Sequence, residues 1–418
     1  MTQLLQRLVG LAAIVVLGGC AGGHANLVPA ASAATIARTA ADTASGLPGT
    51  DTASGLPGTD TASGLPGTDT ASGLPGDTAS GLPGATFACA PALQPGQARC
   101  TLAINTNVPP VPSATGVSAI SGLHPSDLQS AYGLTSQTGG SVVAIVDAYD
   151  DPSAESDLAV YRAAFGLSPC THLTGCFTKL NERGQAGAYP VPSSAWTQEI
   201  SLDLEMVSAV CPNCTIVLIE ADSALLDDLG ASVDTAVRLG AKVISNSYYA
   251  TEWSNERGED IHYAHPGVAM TVASGDIGRT SYPAASPYVT AVGGTSLSRS
   301  GSGWSESAWQ YGGHGCSAYE SKPRWQSVSF CRTRAAVDVV AVGDPQTGVA
   351  MFDAQAGGWL VAGGTSVGPP LIAAAYALSG DPQSPAYLYQ HRFDFRALTS
   401  AAYDLSTGLG SLEGTAGL

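Results

Sequence analysis

The chain is short of charge, and the charge it has is acidic. Only 12% of its 418 residues are Asp, Glu, Lys or Arg, and the formal net charge is −17. Without a cationic face there is nothing to release counterions from a polyanion, so nucleic acid and anionic membrane are excluded as partners. Long apolar runs are scarce too. The one run of note, residues 8–17, is too short to span a bilayer comfortably, and no other stretch qualifies. Histidine is sparse: seven in all, none at a helix start in a small-residue "HGTH" setting. No imidazole is therefore offered where a serine nucleophile would normally find its base. Neither a second CxxC nor suitably placed paired histidines accompany "CPNC" (211–214) or "HYAH" (262–265), which argues against zinc.

What is present begins with an export signal. Arg7 precedes the apolar run, which ends in "LGGC". This places a signal peptide over residues 1–20, with a lipobox ending at Cys20. A lipidated Cys20 would anchor the chain to a bacterial cell envelope, and plain secretion is the alternative. Residues 42–84 are five copies of "DTASGLPGT" or "DTASGLPG". Recurrent Gly and Pro prevent helix or ladder from propagating, so residues 21–121 read as a flexible leader. Apart from Cys20, eight cysteines fall in close sequential pairs: Cys89/Cys100, Cys170/Cys176, Cys211/Cys214 and Cys316/Cys331. In an exported chain this spacing predicts four local disulfides.

The folded domain is expected over 122–418. Apolar runs at 141–149, 215–221, 241–248, 267–276 and 288–297 alternate with helical spacing at 152–167 and 221–240. That alternation predicts an α/β fold with a mostly parallel sheet, whose chemistry sits beyond the carboxyl ends of the strands. Asp147, Ser247, Asp276 and Ser366 stand at or just past predicted strand ends. A largely buried helix over 196–212 carries Glu199 and Asp203 four apart, on one face. Two like charges there should raise one carboxyl pKa, and a glutamate so tuned can serve a serine as base at low pH. Taken singly these residues have plainer readings: an N-cap for Ser366, a turn residue for Asp276, first-turn acids for Glu199 and Asp203.

Three motifs in order, "EISLD" (199–203), "ASGDIG" (273–278) and "GGTSVGPP" (363–370), resemble the sedolisins, the serine-carboxyl peptidases with a subtilisin-like fold. "YPAASPYVTAVGGTSL" (282–297) is also similar to the family. The resemblance implies helices on both faces of the sheet and peptide-bond hydrolysis through an acyl-enzyme at acidic pH, with peptides or proteins as substrates. It implies Ser366 as nucleophile, Glu199 as its base, Asp203 as the residue orienting Glu199, and Asp276 with the Ser366 backbone N–H as oxyanion donors. Asp147 is ranked as a structural strand-end carboxylate. A monomer is expected. Asp394 and Asp404 are candidates for the family's calcium site, although the loop between them is short for an ion that wants six to eight oxygens. Two further departures stand out. Tyr249 occupies a position where the family pattern has glycine, and residues 85–121 are too few for the usual folded pro-domain. The rival readings are a catalytically inactive, surface-displayed binding domain and a subtilisin-type enzyme using Asp147 with a distant histidine.

Overall fold

The computed structural model describes residues 82–418 except 93, 114–115 and 136–138. The signal peptide, Cys20 and all but the last three residues of the repeats lie outside the described residues.

Strands β1 (Ala85–Phe87), β2 (Arg99–Cys100) and β3 (Ala103–Asn105) come first, followed by helix α1 (Pro125–Ala131). The strand and helix alternation then proceeds through β4 (Val142–Ala148), α2 (Ala154–Ala164), β5 (Phe177–Asn181), α3 (Ser194–Val210), β6 (Thr215–Ala221) and α4 (Leu226–Arg238). Next are β7 (Val243–Asn246), β8 (Tyr248–Thr251), β9 (Ala269–Ala273), β10 (Ser281–Tyr282), β11 (Thr290–Ser300) and β12 (Gly303–Ala308). After β13 (Cys316–Ser321) and β14 (Thr333–Ala335), strands β15 (Val339–Val342), β16 (Val349–Asp353) and β17 (Gly358–Gly363) lead into α5 (Gly368–Ser379).

The main sheet runs β15-β11-β9-β7-β4-β6-β5, and every neighbouring pair in that run is parallel. Its strands are near-continuous apolar runs because helices cover both faces: β4, β7 and β9 are buried almost throughout. From β4 the chain first builds outward to β6 and β5, then returns to add β7, β9, β11 and β15 on the other side. The order therefore reverses between β4 and β7, and a crevice opens there at the strands' carboxyl ends. Asp147 closes β4 and Ser247 follows β7 at that point. Helices α3 and α5 pack on each other and on β4 beneath the crevice. The predicted α/β, subtilisin-like architecture is the observed one.

All four expected disulfides form: Cys89–Cys100, Cys170–Cys176, Cys211–Cys214 and Cys316–Cys331. They suit an oxidising compartment. "CPNC" is thus a bridge at the end of α3. No helix among the described residues is long and apolar enough to cross a membrane.

One region departs from the sequence reading. Residues 82–113, placed there in the leader, are built into the domain. β3 pairs antiparallel with both β1 and β17, and β2 pairs antiparallel with β8. Leu82, from the last repeat, is buried with Ala85, Ala103 and Trp309. Strands of two or three residues carry no readable period, and the pairings of β2 with β8 and of β3 with β17 span 148 to 260 positions, so local pattern could not reveal them.

Candidate active site

Ser366 sits in a single 3-10 turn, Thr365–Val367, between β17 and α5. Gly364 enters that turn at φ +89°, a conformation that favours glycine, and its backbone abuts other groups. A Cβ there would stand 1.7 Å from the Thr101 carbonyl oxygen and 2.8 Å from Asp276 Oδ2. Pro369 and Pro370 occupy the first turn of α5, where a missing N–H costs nothing. The Ser366 side chain is fully buried, and its hydroxyl donates to the Ser247 carbonyl at 3.4 Å. In return the Ser247 hydroxyl donates to the Ser366 carbonyl at 3.2 Å.

Helix α3 supplies Glu199 and Asp203, both with no solvent exposure. Asp147 from β4 joins them. None of the six carboxyl oxygens of Asp147, Glu199 and Asp203 has a hydrogen-bond partner. Burial is the main force on all three and pushes each pKa up. Asp147 raises both Glu199 and Asp203 further, and Glu199 raises Asp203. Against this, the Ser366 hydroxyl and the Leu102 backbone N–H draw Glu199 down, and the Ser247 side chain does the same for Asp203. These contacts are near approaches that fall short of full hydrogen bonds. Three mutually repelling acids in one dry pocket share protons and cannot all ionise together.

Asp276 follows β9 through Gly275, at φ +91°. Its Oδ1 accepts the Thr365 N–H at 2.8 Å, and the Thr365 hydroxyl accepts the Gly275 N–H at 3.1 Å. This reciprocal clamp locks the aspartate turn to the serine turn. Asp276 Oδ2 is buried without a partner. Burial pushes this carboxyl up to about 7, opposed by the Thr365 contacts and by nearby Arg99. In acid it is a protonated group, able to donate a hydrogen bond.

No histidine among the described residues reaches Ser366. His124 bonds the Ile120 carbonyl, His172 pairs with Glu155, His262 and His265 with Asp234, His314 with the Gly312 carbonyl and His391 with Asp394. That removes the geometry the subtilisin-type rival needs.

No family model matches the chain. Among curated proteins it is 32% identical to xanthomonalisin of Xanthomonas sp. (strain T-22) over 151 residues, covering 31% of this chain and 18% of that protein. It is 28% identical to kumamolisin of Bacillus sp. (strain MN-32) over 297 residues, covering 60% of this chain and 51% of that protein. The chain thus spans about half or less of the length of these relatives. Among solved structures, Pseudomonas sedolisin, a serine-carboxyl proteinase, superposes with a TM-score of 0.62 at 22% identity, over 71% of this chain and 96% of that one. The chain is thus similar in sequence to xanthomonalisin and kumamolisin, and shares its fold with Pseudomonas sedolisin.

The structure brings Ser366, Glu199, Asp203 and Asp276 of this chain together at one site. It also gives Asp147 and Tyr249 new neighbours and adds Thr101. Asp147 faces both acids of α3, although it was ranked as structural; its place at the end of the central strand was the available signal. Thr101 arrives from β2 and β3, its Oγ1 2.5 Å from Ser366 Oγ. Tyr249, where the family has glycine, is buried against Gly275 and lies under the guanidinium of Arg99, 5.7 Å from ring centroid to Cζ. Phe87 sits 4.9 Å from the same guanidinium, so the cation is held between two rings.

The expected calcium pair is engaged otherwise. Asp404 Oδ1 accepts the backbone N–H groups of Ser406 and Thr407, and Asp394 Oδ2 lies 3.3 Å from His391 Nδ1. Among the described residues no group of three or more His, Cys, Asp or Glu side chains is placed to hold a metal ion.

Proposed function

We propose that this chain is an exported serine-carboxyl peptidase that hydrolyses peptide bonds through an acyl-enzyme, with its optimum in acid. One observation carries the reading: a buried serine hydroxyl that approaches the Glu199 carboxyl, with no histidine among the described residues in reach. Glu199 takes the Ser366 proton as Oγ attacks the substrate carbonyl. Asp203 and Asp147 hold Glu199 in place and set its proton affinity, and Asp147 thereby becomes a positioning residue. Asp276, protonated, and the Ser366 N–H at the head of α5 stabilise the oxyanion. Glu199 then hands its proton to the leaving amine, and water resolves the ester by the same steps in reverse.

The proton inventory supports an acid optimum. Asp276 must carry a proton to donate, and it loses that proton as pH rises through about 7. The substrates are peptides or proteins that reach the cleft as extended strands. The signal-like residues 1–20 and the four disulfides support export; lipidation at Cys20 would hold the enzyme at a bacterial envelope. No step requires calcium.

The test is a pH–rate profile on a fluorogenic peptide library, run for wild type beside Glu199→Gln and Ser366→Ala. Turnover in acid that both substitutions abolish is expected. Activity surviving Glu199→Gln, or no turnover in wild type at any pH, would sink the reading; the latter would favour an inactive peptide-binding domain.

A further inference from the structure

The repeats end inside the folded structure. The last of them runs over residues 77–84, and its Leu82, Pro83 and Gly84 are among the described residues. They form a tight turn, in which the Ala85 N–H donates to the Leu82 carbonyl at 3.1 Å. Proline fixes a negative φ at the second position of the turn, and Gly84 takes φ +69° at the third. That combination is a type II turn, which favours Pro-Gly at its centre.

The turn is seated in a recess built from distant parts of the chain, with Trp309, Tyr311 and Gln346 in its wall. Leu82 is buried with Ala85, Ala103 and Trp309, and Phe87 and Tyr311 pack at the edge of that cluster. Gln346 Nε2 donates to the Gly84 carbonyl at 3.0 Å and reaches the Pro83 carbonyl at 3.4 Å. The Thr106 N–H donates to the same Gly84 carbonyl at 2.9 Å. Gln346 is held in turn by Asn107, whose Nδ2 donates to Gln346 Oε1 at 3.0 Å. A Cβ on residue 84 would stand 2.3 Å from that Nδ2, in addition to the strain of a positive φ. Each residue type of the unit thus meets its own requirement: leucine fills the apolar floor, proline sets φ, and glycine takes the left-handed position.

Four more copies of the same three residues precede it, at 47–49, 56–58, 65–67 and 74–76. Every copy also follows a Ser-Gly pair, and only the residue after the unit differs, Thr or Asp where the fifth copy has Ala85. A spacer that has only to be flexible needs no leucine. Nothing in the recess distinguishes the fifth Leu-Pro-Gly from the other four. Seating the fourth copy requires residues 77–84 to close a loop, and earlier copies close longer ones, but the entropy of closure grows slowly with length. All of them are tethered to the recess, which makes their binding an intramolecular event.

We infer that the recess beside Trp309 and Gln346 is a binding site for a Leu-Pro-Gly turn, and that the five repeats are interchangeable occupants of it. The repeats then work as a reel. Each exchange to the preceding copy takes eight or nine residues out of the chain upstream of the seat. The seated copy thereby sets how much chain separates the folded domain from the N-terminus.

The experiment follows Trp309 by fluorine NMR in the full chain carrying fluorotryptophan, with the line assigned through Trp309→Phe, and records the melting temperature of the same samples. Leu82→Ala is made in two backgrounds: the natural repeats, and a chain in which Leu47, Leu56, Leu65 and Leu74 are all replaced by Ala. With the natural repeats an upstream leucine takes the seat, so the Trp309 line and the melting temperature should stay close to wild type. Without the upstream leucines the same substitution empties the seat, so the line should move and the melting temperature fall. The folded part carries one identical change in both chains, so a simple packing defect would act equally in the two. Gly84→Ala should repeat the pattern. Equal displacement in both backgrounds would overturn the exchange and leave Leu82 as an ordinary core residue. No displacement in either would overturn the seat itself. A wild-type-like line in Leu82→Ala that fades on dilution would put a second copy's repeat in the recess and overturn exchange within one chain.

Discussion

Helix α3 carries buried acids on two faces, and the two groups are treated differently. On one face Glu199 and Asp203 meet Asp147, and not one of their oxygens is satisfied. On the other, Glu205 meets Asp151, Asp157 and Asp353, and each of these four has a donor. Glu205 accepts the Phe352 N–H at 2.9 Å, Asp157 the Ala354 N–H at 3.0 Å, Asp353 the Ala356 N–H at 2.6 Å and Asp151 the Ser153 N–H at 2.8 Å. Burial raises the pKa on both faces, so displacement alone does not separate them. Hydrogen bonding does. The Glu205 group ties α2, α3 and β16 together through backbone donors. The Glu199 group leaves its oxygens bare beside a serine, which stability alone would not retain.

The contrast breaks most visibly under substitution. Glu199→Gln keeps the shape and removes the base, and should cost about 10²–10⁴-fold in kcat, as general base catalysis commonly supplies, with little change in melting temperature. Asp276→Ala, removing one oxyanion donor, should cost about 10²–10³-fold, read from single-turnover kinetics in acid. Glu205→Ala should do the reverse: near-normal kcat in the folded fraction, but a loss of about 1–3 kcal/mol in urea unfolding as the Phe352 N–H is orphaned. If Glu205→Ala proves as inactivating as Glu199→Gln, the division between the faces is wrong.

Both faces act together on stability. A carboxyl whose pKa is raised in the fold keeps a proton that the unfolded chain has given up. Stability is then greatest in acid and falls as pH climbs from the free-carboxyl range, about 4, through the folded values. Those stand at about 6 for Asp151 and about 8 for Asp147. Melting temperature should therefore drop steadily from acid toward alkaline buffer; a maximum above neutrality would contradict the raised pKa values. The smallest effect concerns metal: EDTA should leave the melting temperature unchanged, and a marked fall would restore a calcium site.

Much of this was readable in the residues. The apolar runs of β4, β6, β7 and β9 are dense enough to announce a covered parallel sheet, and the cysteine spacings permit little besides local bridges. Ser366, Glu199, Asp203 and Asp276 each lie in a contiguous motif, which local sequence can carry. Asp147 escaped because a strand-end carboxylate looks alike whether it faces water or two other acids. Residues 99–104 escaped because their partners, β8 and β17, are nearly 150 and 260 positions distant, and a pairing at that range leaves no local period. Tyr249 looked like a defect in the pocket until Arg99 and Phe87 supplied its neighbours.

The Cys89–Cys100 bridge joins the stretch just after β1 to the last residue of β2, and those two strands belong to different sheets. One covalent link thereby couples the pairing on β8 to the pairing on β3. Reducing it alone would let either short strand loosen without dragging the other.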